Sequence, residues 1–159
     1  MNEINSLDLK GFAINAVNSV FDMMLSMEVE ISDADSQVVI NGNRIVGSVG
    51  FAGDVMGNIR IHVGDDFARL MTAAMLDMEL EEIDGEEVSD VIGELSNMIG
   101  GDLKSRLCDS GFPCQLSIPS VTSGSDFKIE SRDWMKYECF AFCHQQHSAL
   151  VEVFIKSGG

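Results

Sequence analysis

Four residues spaced along one stretch of the sequence share a surface that could do chemistry. If the stretch is helical, Asp90, Glu94, Asn97 and Gly101 lie within roughly 60° of one another, because an α-helix turns about 100° per residue. A carboxylate accepts hydrogen bonds, and a carboxamide both donates and accepts them. The four residues therefore form one polar stripe that could bind an external group through hydrogen bonds.

Glycines accompany this stripe. Each of Gly93, Gly100 and Gly101 costs a helix about 1 kcal/mol relative to alanine, which is unusual on a plain solvated face. They would let another surface approach the helix backbone closely. The alternative is that the glycines accommodate a neighbouring helix and that Glu94 and Asn97 are ordinary surface residues. The helix pattern by itself favours this alternative, because an isolated E-x-x-N recurs by chance in many chains.

A long amphipathic helix has to carry the stripe. Asp84 followed by Glu87 fits a capping box, so we expect the helix to begin there and to reach about Leu107 or Cys108. Its apolar residues fall broadly opposite the stripe, and burying them turns the stripe outward. These residues are Val88, Val91, Leu95, Met98, Ile99 and Leu103.

The rest of the chain is predicted to alternate helices and strands. A helix is expected over residues 7–27, and another is expected to be capped by Asp65 and Asp66. In the strand before that second helix, Asn58, Arg60 and His62 alternate with apolar residues, which predicts one wet face. Turn residues and β-branched runs predict strands at 38–40, 44–51, 59–63, 115–118, 127–130, 134–143 and 149–155, with Asn41-Gly42 as a hairpin turn.

This order predicts an α+β fold. The chain of 159 residues, 45% hydrophobic and with two prolines, suits a single domain over 1–159. Each half, about 1–80 and 81–159, is a helix followed by a β-meander, so we expect a degenerate internal repeat.

Charge and composition argue against several classes of partner and location. Ten Lys and Arg against 26 Asp and Glu give a net charge of −16, which repels nucleic-acid backbones and anionic lipid surfaces. No apolar run approaches the roughly 20 residues of a membrane helix. The first ten residues lack the basic start of a signal peptide, so we expect a cytoplasmic protein with reduced cysteines.

A cluster of cysteines and histidines near the C-terminus could bind zinc. Cys139, Cys143, His144 and His147 pack four potential ligands into a short segment. The strand pattern instead makes the cysteines small residues on one face, with the histidines flanking a hairpin turn at Gln145. We therefore predict no metal site.

A family resemblance brings these observations together. The spacing D-x-x-x-E-x-x-N-x-x-x-G of the stripe, within SDVIGELSNMIGGDLKSRL, resembles the active-site helix of the CheC/CheX/FliY phosphatases of bacterial chemotaxis. VGSVGFAGDVMGNIRI resembles the glycine-punctuated hairpin of the CheX branch, and LSIPSVTSG resembles the loop after the motif helix. The first helix offers Asn15 and Asn18 without a glutamate three residues earlier, which is similar to the single-site CheX type. Asp102 departs from the pattern, since many relatives have asparagine there.

The resemblance implies a CheC-like fold with a long exposed active-site helix, and a protein aspartyl-phosphate phosphatase of two-component signalling. Asn97 would orient water for hydrolysis, and Glu94 would pair with a lysine of a phosphorylated CheY-like response regulator. The partner-binding residues would be Asp90, Gly93, Gly100 and Gly101. The protein would need no cofactor of its own, since the magnesium ion would belong to the regulator. The alternative is a non-catalytic module that docks on a response regulator or on a flagellar switch component.

The resemblance also implies a homodimer. Two meanders leave a strand edge uncovered, and we expect a strand after Gly111 to pair with a second copy. The alternative is a monomer whose edge is blunted by Lys128, Glu130 or Lys136.

Overall fold

The computed structural model describes residues 4–32, 42–124 and 134–158. The predicted strands at 38–40 and 127–130, and Asn41 of the predicted hairpin turn, lie outside these residues. The helices are α1 (Leu9–Val20), α2 (Asp65–Leu76) and α3 (Gly85–Asp109), and a π-helical turn, Phe21–Leu25, extends α1. The strands are β1 (Glu30–Ser32), β2 (Arg44–Gly53), β3 (Val55–Gly64), β4 (Cys114–Leu116), β5 (Ser120–Gly124), β6 (Lys136–His144) and β7 (His147–Ser157).

The described strands form one antiparallel sheet. Its order is β1-β6-β7-β3-β2-β4, and β5 pairs with β2 as well. β4 and β5 share one edge of β2, because β4 pairs with its end at Phe51–Gly53 and β5 with its start at Arg44–Ser48. The predicted α+β class is confirmed, and the hairpin turn at Gln145 joins β6 to β7 as expected.

α3 is the central helix. It packs on β2 and contacts both α1 and α2. The core beneath it is made by the alternate residues of the strands, including Val49 of β2 and Ile61 of β3, which are buried. No helix within the described residues has the length and apolarity to cross a membrane.

Three local predictions were wrong. α2 is capped by Gly64, and Asp65 and Asp66 lie in its first turn, where they still meet the positive end of the helix dipole. His62 is buried rather than wet, because Glu152 of β7 bonds to it. The segment after Pro119, read as a separator between strands, forms β5 because the edge of β2 supplies its hydrogen bonds.

Candidate active site

The capping box fixes where α3 begins. The backbone N–H of Glu87 donates to Oδ1 of Asp84 at 3.0 Å, and the N–H of Asp84 donates to Oε1 of Glu87 at 3.1 Å. Two otherwise unpaired N–H groups are thereby satisfied. The predicted start is confirmed, and the helix continues for 25 residues to Asp109, one or two residues beyond the expected end.

Burial of its apolar side fixes the rotation of α3. Met98 is only partly buried. The other predicted core residues are buried, as are Ile92 and Leu107. Because these side chains face the core, Asp90 and Glu94 are exposed, and Asn97 and Gly101 are partly exposed. The structure thus brings the four residues of the stripe to one outward surface.

Two glycine contacts hold α3 unusually close to β2. A methyl group at Gly47 of β2 would overlap the hydroxyl of Ser96 and would lie 3.1 Å from both Ser96 Cβ and Ile92 Cγ2. A methyl group at Gly100 of α3 would lie 3.0 Å from Val49 Cγ1. The helix therefore rests on the backbone of the strand, and its height above the sheet is fixed.

Gly93 and Gly101 of α3 also lie near side chains of the chain's own sheet. A methyl group at Gly93 would lie 3.4 Å from Val121 Cγ2, and one at Gly101 would lie 3.9 Å from Leu116 Cδ1. Gly93 and Gly100 are buried. They accommodate a neighbouring element, as the alternative interpretation held, although this element is the sheet rather than a helix. Their predicted contact with a partner does not fit this burial.

Glu94 and Asn97 of the stripe have no side-chain partner in the part of the chain that the structure describes. Within residues 4–32, 42–124 and 134–158, the side chains of Glu94 and Asn97 make no hydrogen bond or ion pair with another side chain. Asp102, one turn further along, is instead held by Arg106, whose Nε lies 2.6 Å from Oδ1 of Asp102. A carboxylate and a carboxamide are therefore available to bind an external group.

The cysteine and histidine segment has structural contacts. His144 Nδ1 lies 2.9 Å from the carbonyl oxygen of Glu28, and the ring of His147 stacks on Phe67 with centroids 5.3 Å apart. In the part of the chain that the structure describes, no group of three or more His, Cys, Asp or Glu residues is placed to hold a metal ion.

A second polar cluster lies on the other face of the sheet. Gly47 faces α3 and pairs with Ile61, so the neighbouring His62 points away from α3. Oε1 of Glu152 lies 2.5 Å from Nε2 of His62, and the hydroxyl of Tyr137 donates to Oε2 of Glu152 at 2.7 Å. Burial raises the pKa of Glu152, but these hydrogen bonds and nearby positive charge outweigh it and leave the pKa below its ordinary value.

An exposed apolar residue beside α3 received no role from the sequence. Ile118 lies in the link between β4 and β5 and is 89% exposed. The sequence placed Ile118 in a predicted strand over 115–118, where an apolar residue is ordinary, whereas β4 ends at Leu116. Its exposure was therefore not predictable from the sequence.

Comparison with known proteins gives consistent matches. Residues 45–143 match the family Chemotaxis phosphatase CheX. The CheY-P phosphatase CheX of Thermotoga maritima is 33% identical over 117 residues, which are 72% of this chain and 74% of that protein.

Two solved structures are similar over nearly their whole length. The chemotaxis protein CheX of Vibrio vulnificus has a TM-score of 0.80 at 25% identity, with 94% of this chain and 97% of that chain covered. The CheX chain in a CheX–CheY–BeF3–Mg2+ complex from Borrelia burgdorferi has a TM-score of 0.73 at 23% identity, with 94% and 99% covered.

Proposed function

This chain belongs to the chemotaxis phosphatase CheX family, and from that premise we propose that it hydrolyses the aspartyl phosphate of a phosphorylated CheY-like response regulator. The observation that carries the proposal is the pair Glu94 and Asn97, which faces outward on α3 and has no side-chain partner among the described residues. The activity named for the Thermotoga relative supports it. The reaction releases inorganic phosphate and restores the aspartate of the regulator.

Asn97 has the chemistry to position the attacking water. Hydrolysis requires a water molecule in line with the bond between phosphorus and the departing aspartate oxygen. Oδ1 of Asn97 accepts a hydrogen bond from that water, while its NH2 group donates to a phosphoryl oxygen or to the water. The carboxamide does this without a charge that would repel the phosphoryl group.

Glu94 fixes the docking register. It lies one helical turn before Asn97 on the same surface and is exposed. A carboxylate there can form a charge-assisted bond with a lysine of the regulator. The net charge of −16 favours a regulator surface that carries positive charge around its phosphorylation site.

The magnesium ion of the reaction belongs to the partner in this proposal. The composition of the Borrelia complex, which contains CheY, BeF3 and Mg2+, supports a metal ion that arrives with the regulator. Magnesium neutralises charge on the phosphoryl oxygens. This chain then contributes the water-positioning amide and the docking carboxylate, and no metal ligand.

Replacement of Asn97 tests the catalytic role. We expect Asn97→Ala to lower the acceleration of phosphate release by about 100-fold or more, the usual cost of losing one positioning group. Asn15→Ala is the matched control, because Asn15 is an exposed asparagine on α1. Phosphate release from an acetyl-phosphate-charged regulator measures both. Equal activity of the two variants would contradict the assignment.

Replacement of Glu94 tests the docking role. We expect Glu94→Ala to raise KM with little change in kcat, because its bond forms in the ground-state complex as well as in the transition state. A large loss of kcat at saturating regulator with an unchanged KM would assign Glu94 to the chemical step instead. Tight binding of the regulator by the wild-type protein without phosphate release would favour the non-catalytic module.

We also propose a homodimer that works in the cytoplasm, where response regulators are phosphorylated. Among the described strands, β1 forms one edge of the sheet and β4 with β5 the other. β1 pairs only with Ala141–Cys143 of β6, so the part of β6 that contains Lys136 also lies at an edge. Unpaired N–H and C=O groups on an edge favour strand pairing between copies. High salt should strengthen the dimer because it screens like charges. Sedimentation at micromolar concentration showing a monomer in both low and moderate salt would exclude it.

A further inference from the structure

The link between β4 and β5 runs beside the stripe. Leu116, at the end of β4, lies against Gly100 and Gly101. A Cβ atom added at Gly100 would be 3.6 Å from Cδ2 of Leu116, and one added at Gly101 would be 3.9 Å from Cδ1. Val121 of β5 lies in the same way against Gly93. Residues 117–120 connect these two points, so they pass alongside the two turns of α3 that carry Glu94 and Asn97.

The link is held in a defined conformation. The backbone N–H of Ser117 donates to the carbonyl of Gly50 at 2.9 Å, and the N–H of Gly50 donates to Oγ of Ser117 at 2.8 Å. Pro119 restricts Ile118 to extended backbone angles. Both flanking strands are paired with β2. The side chain of Ile118 is therefore presented from a rigid base, and little conformational entropy is lost when a partner covers it.

Ile118 is the most exposed large apolar residue in the described part of the chain, at 89%. Single apolar residues on a surface need no explanation by themselves. This one lies in the link between Leu116 and Val121, whose side chains contact the glycines on either side of Asn97 on α3. An apolar contact made there would not be screened by salt. A side chain that is fully desolvated in a well-packed pocket of the partner can carry a large share of the binding energy of an interface.

We propose that Ile118 is an apolar anchor that packs against the phosphorylated regulator beside its aspartyl phosphate and sets the affinity for it. The inference rests on the proposed function, because it requires the regulator to sit on α3. The partner surface it fits carries an apolar patch next to the phosphorylation site. Glu94 pairs with a charge of the regulator, and Asn97 positions the attacking water. Ile118 adds binding energy that is equal in the ground state and the transition state.

The test compares Ile118→Ser with Met56→Ser. Met56 is 41% exposed and lies on the sheet face turned away from α3, because it alternates with the buried Val55. We expect Ile118→Ser to raise KM for the phosphorylated regulator, and Kd for the regulator loaded with BeF3 and Mg2+, about tenfold. The kcat should stay within about twofold. Met56→Ser should change neither constant, and Ile118→Leu should restore most of the affinity.

Other outcomes overturn the inference. Unchanged KM and Kd for Ile118→Ser would show that Ile118 does not bind the regulator. A fall in kcat at constant KM would show that Ile118 acts in the chemical step instead. Dissociation of a dimer with unchanged Kd for the regulator would identify a second copy of the chain as the occupant. A wild-type protein that binds the regulator without hydrolysis would refute the proposed phosphatase, and the Kd comparison would still decide the role of Ile118.

Discussion

Gly47→Ala should destabilise the protein strongly although it adds a single methyl group to a strand. The new carbon would overlap the hydroxyl of Ser96 and lie 3.1 Å from Ser96 Cβ and Ile92 Cγ2. The hydroxyl of Ser96 is buried and donates to the carbonyl of Ile92 at 2.7 Å, so it cannot turn away without losing that bond. Either the serine changes rotamer or α3 moves off β2.

The cost follows from these contacts. Overpacking a close contact costs about 1–3 kcal/mol, and the loss of a buried hydrogen bond adds about 1 kcal/mol. We therefore expect Gly47→Ala to lower the free energy of unfolding by about 2–4 kcal/mol. Ser96→Ala alone should cost less than about 1 kcal/mol, because alanine is the better helix former. The double variant should recover about 1–2 kcal/mol, since the overlap with the hydroxyl disappears while the 3.1 Å contacts remain.

Urea denaturation of the four proteins, followed by circular dichroism, measures this cycle. The slope with urea should be the same for all four, so that midpoints report stability directly. A loss below about 0.5 kcal/mol for Gly47→Ala would show that α3 is not held by this contact. A double variant no more stable than the sum of the single losses would show that the Ser96 hydroxyl is not the obstacle.

Four further variants test the helix and the second cluster. Gly101→Ala should stabilise the protein by about 0.5–1 kcal/mol, whereas Gly100→Ala should gain nothing or lose stability against Val49; equal urea midpoints would refute the packing argument. Asp84→Ala should cost about 1 kcal/mol by thermal melting, because it removes the capping box; an unchanged Tm would count against it. For Glu152, burial raises the pKa, but hydrogen bonds with His62 and Tyr137 and nearby positive charge lower it more, so the folded-state pKa lies below the ordinary glutamate value. The stabilisation from Glu152 is therefore fully present above the unfolded-state pKa and is lost as the pH falls through the folded-state pKa. Glu152→Gln should therefore be less stable than wild type near pH 7, with the gap in urea midpoints narrowing in acid, and a gap that widens in acid would contradict the sign.

Local chemistry made the long helix predictable. The side chains of Asp84 and Glu87 accept hydrogen bonds from each other's backbone N–H groups, and the two residues are only three positions apart. The periodic spacing of apolar residues in α3 is likewise visible within a few turns of the sequence. The outward orientation of Glu94 follows from that period alone. The start of α2 was harder, because acidic residues suit both the cap and the first turn of a helix.

Contacts distant in sequence were not predictable. His62 is buried because Glu152, ninety residues later, bonds to it. β5 is a strand because the edge of β2 is available, although its residues fall between two strands predicted from the sequence. The buried glycines of α3 show the same limit, since a glycine that faces a partner and one that faces a strand of the same chain look alike in sequence.

The place of β7 in the sheet imposes an order on biosynthesis. β7 lies between β3 and β6, and Ile59 of β3 pairs with Val153 of β7. At about 5–20 residues per second, the ribosome delivers Val153 roughly 5–20 s after Ile59, which precedes it by about ninety residues. Throughout that interval β3 has one unpaired edge with apolar residues that later form the core. The nascent chain therefore passes through a period in which it can aggregate, and slower growth at lower temperature or the presence of a holding chaperone should raise the yield of folded protein.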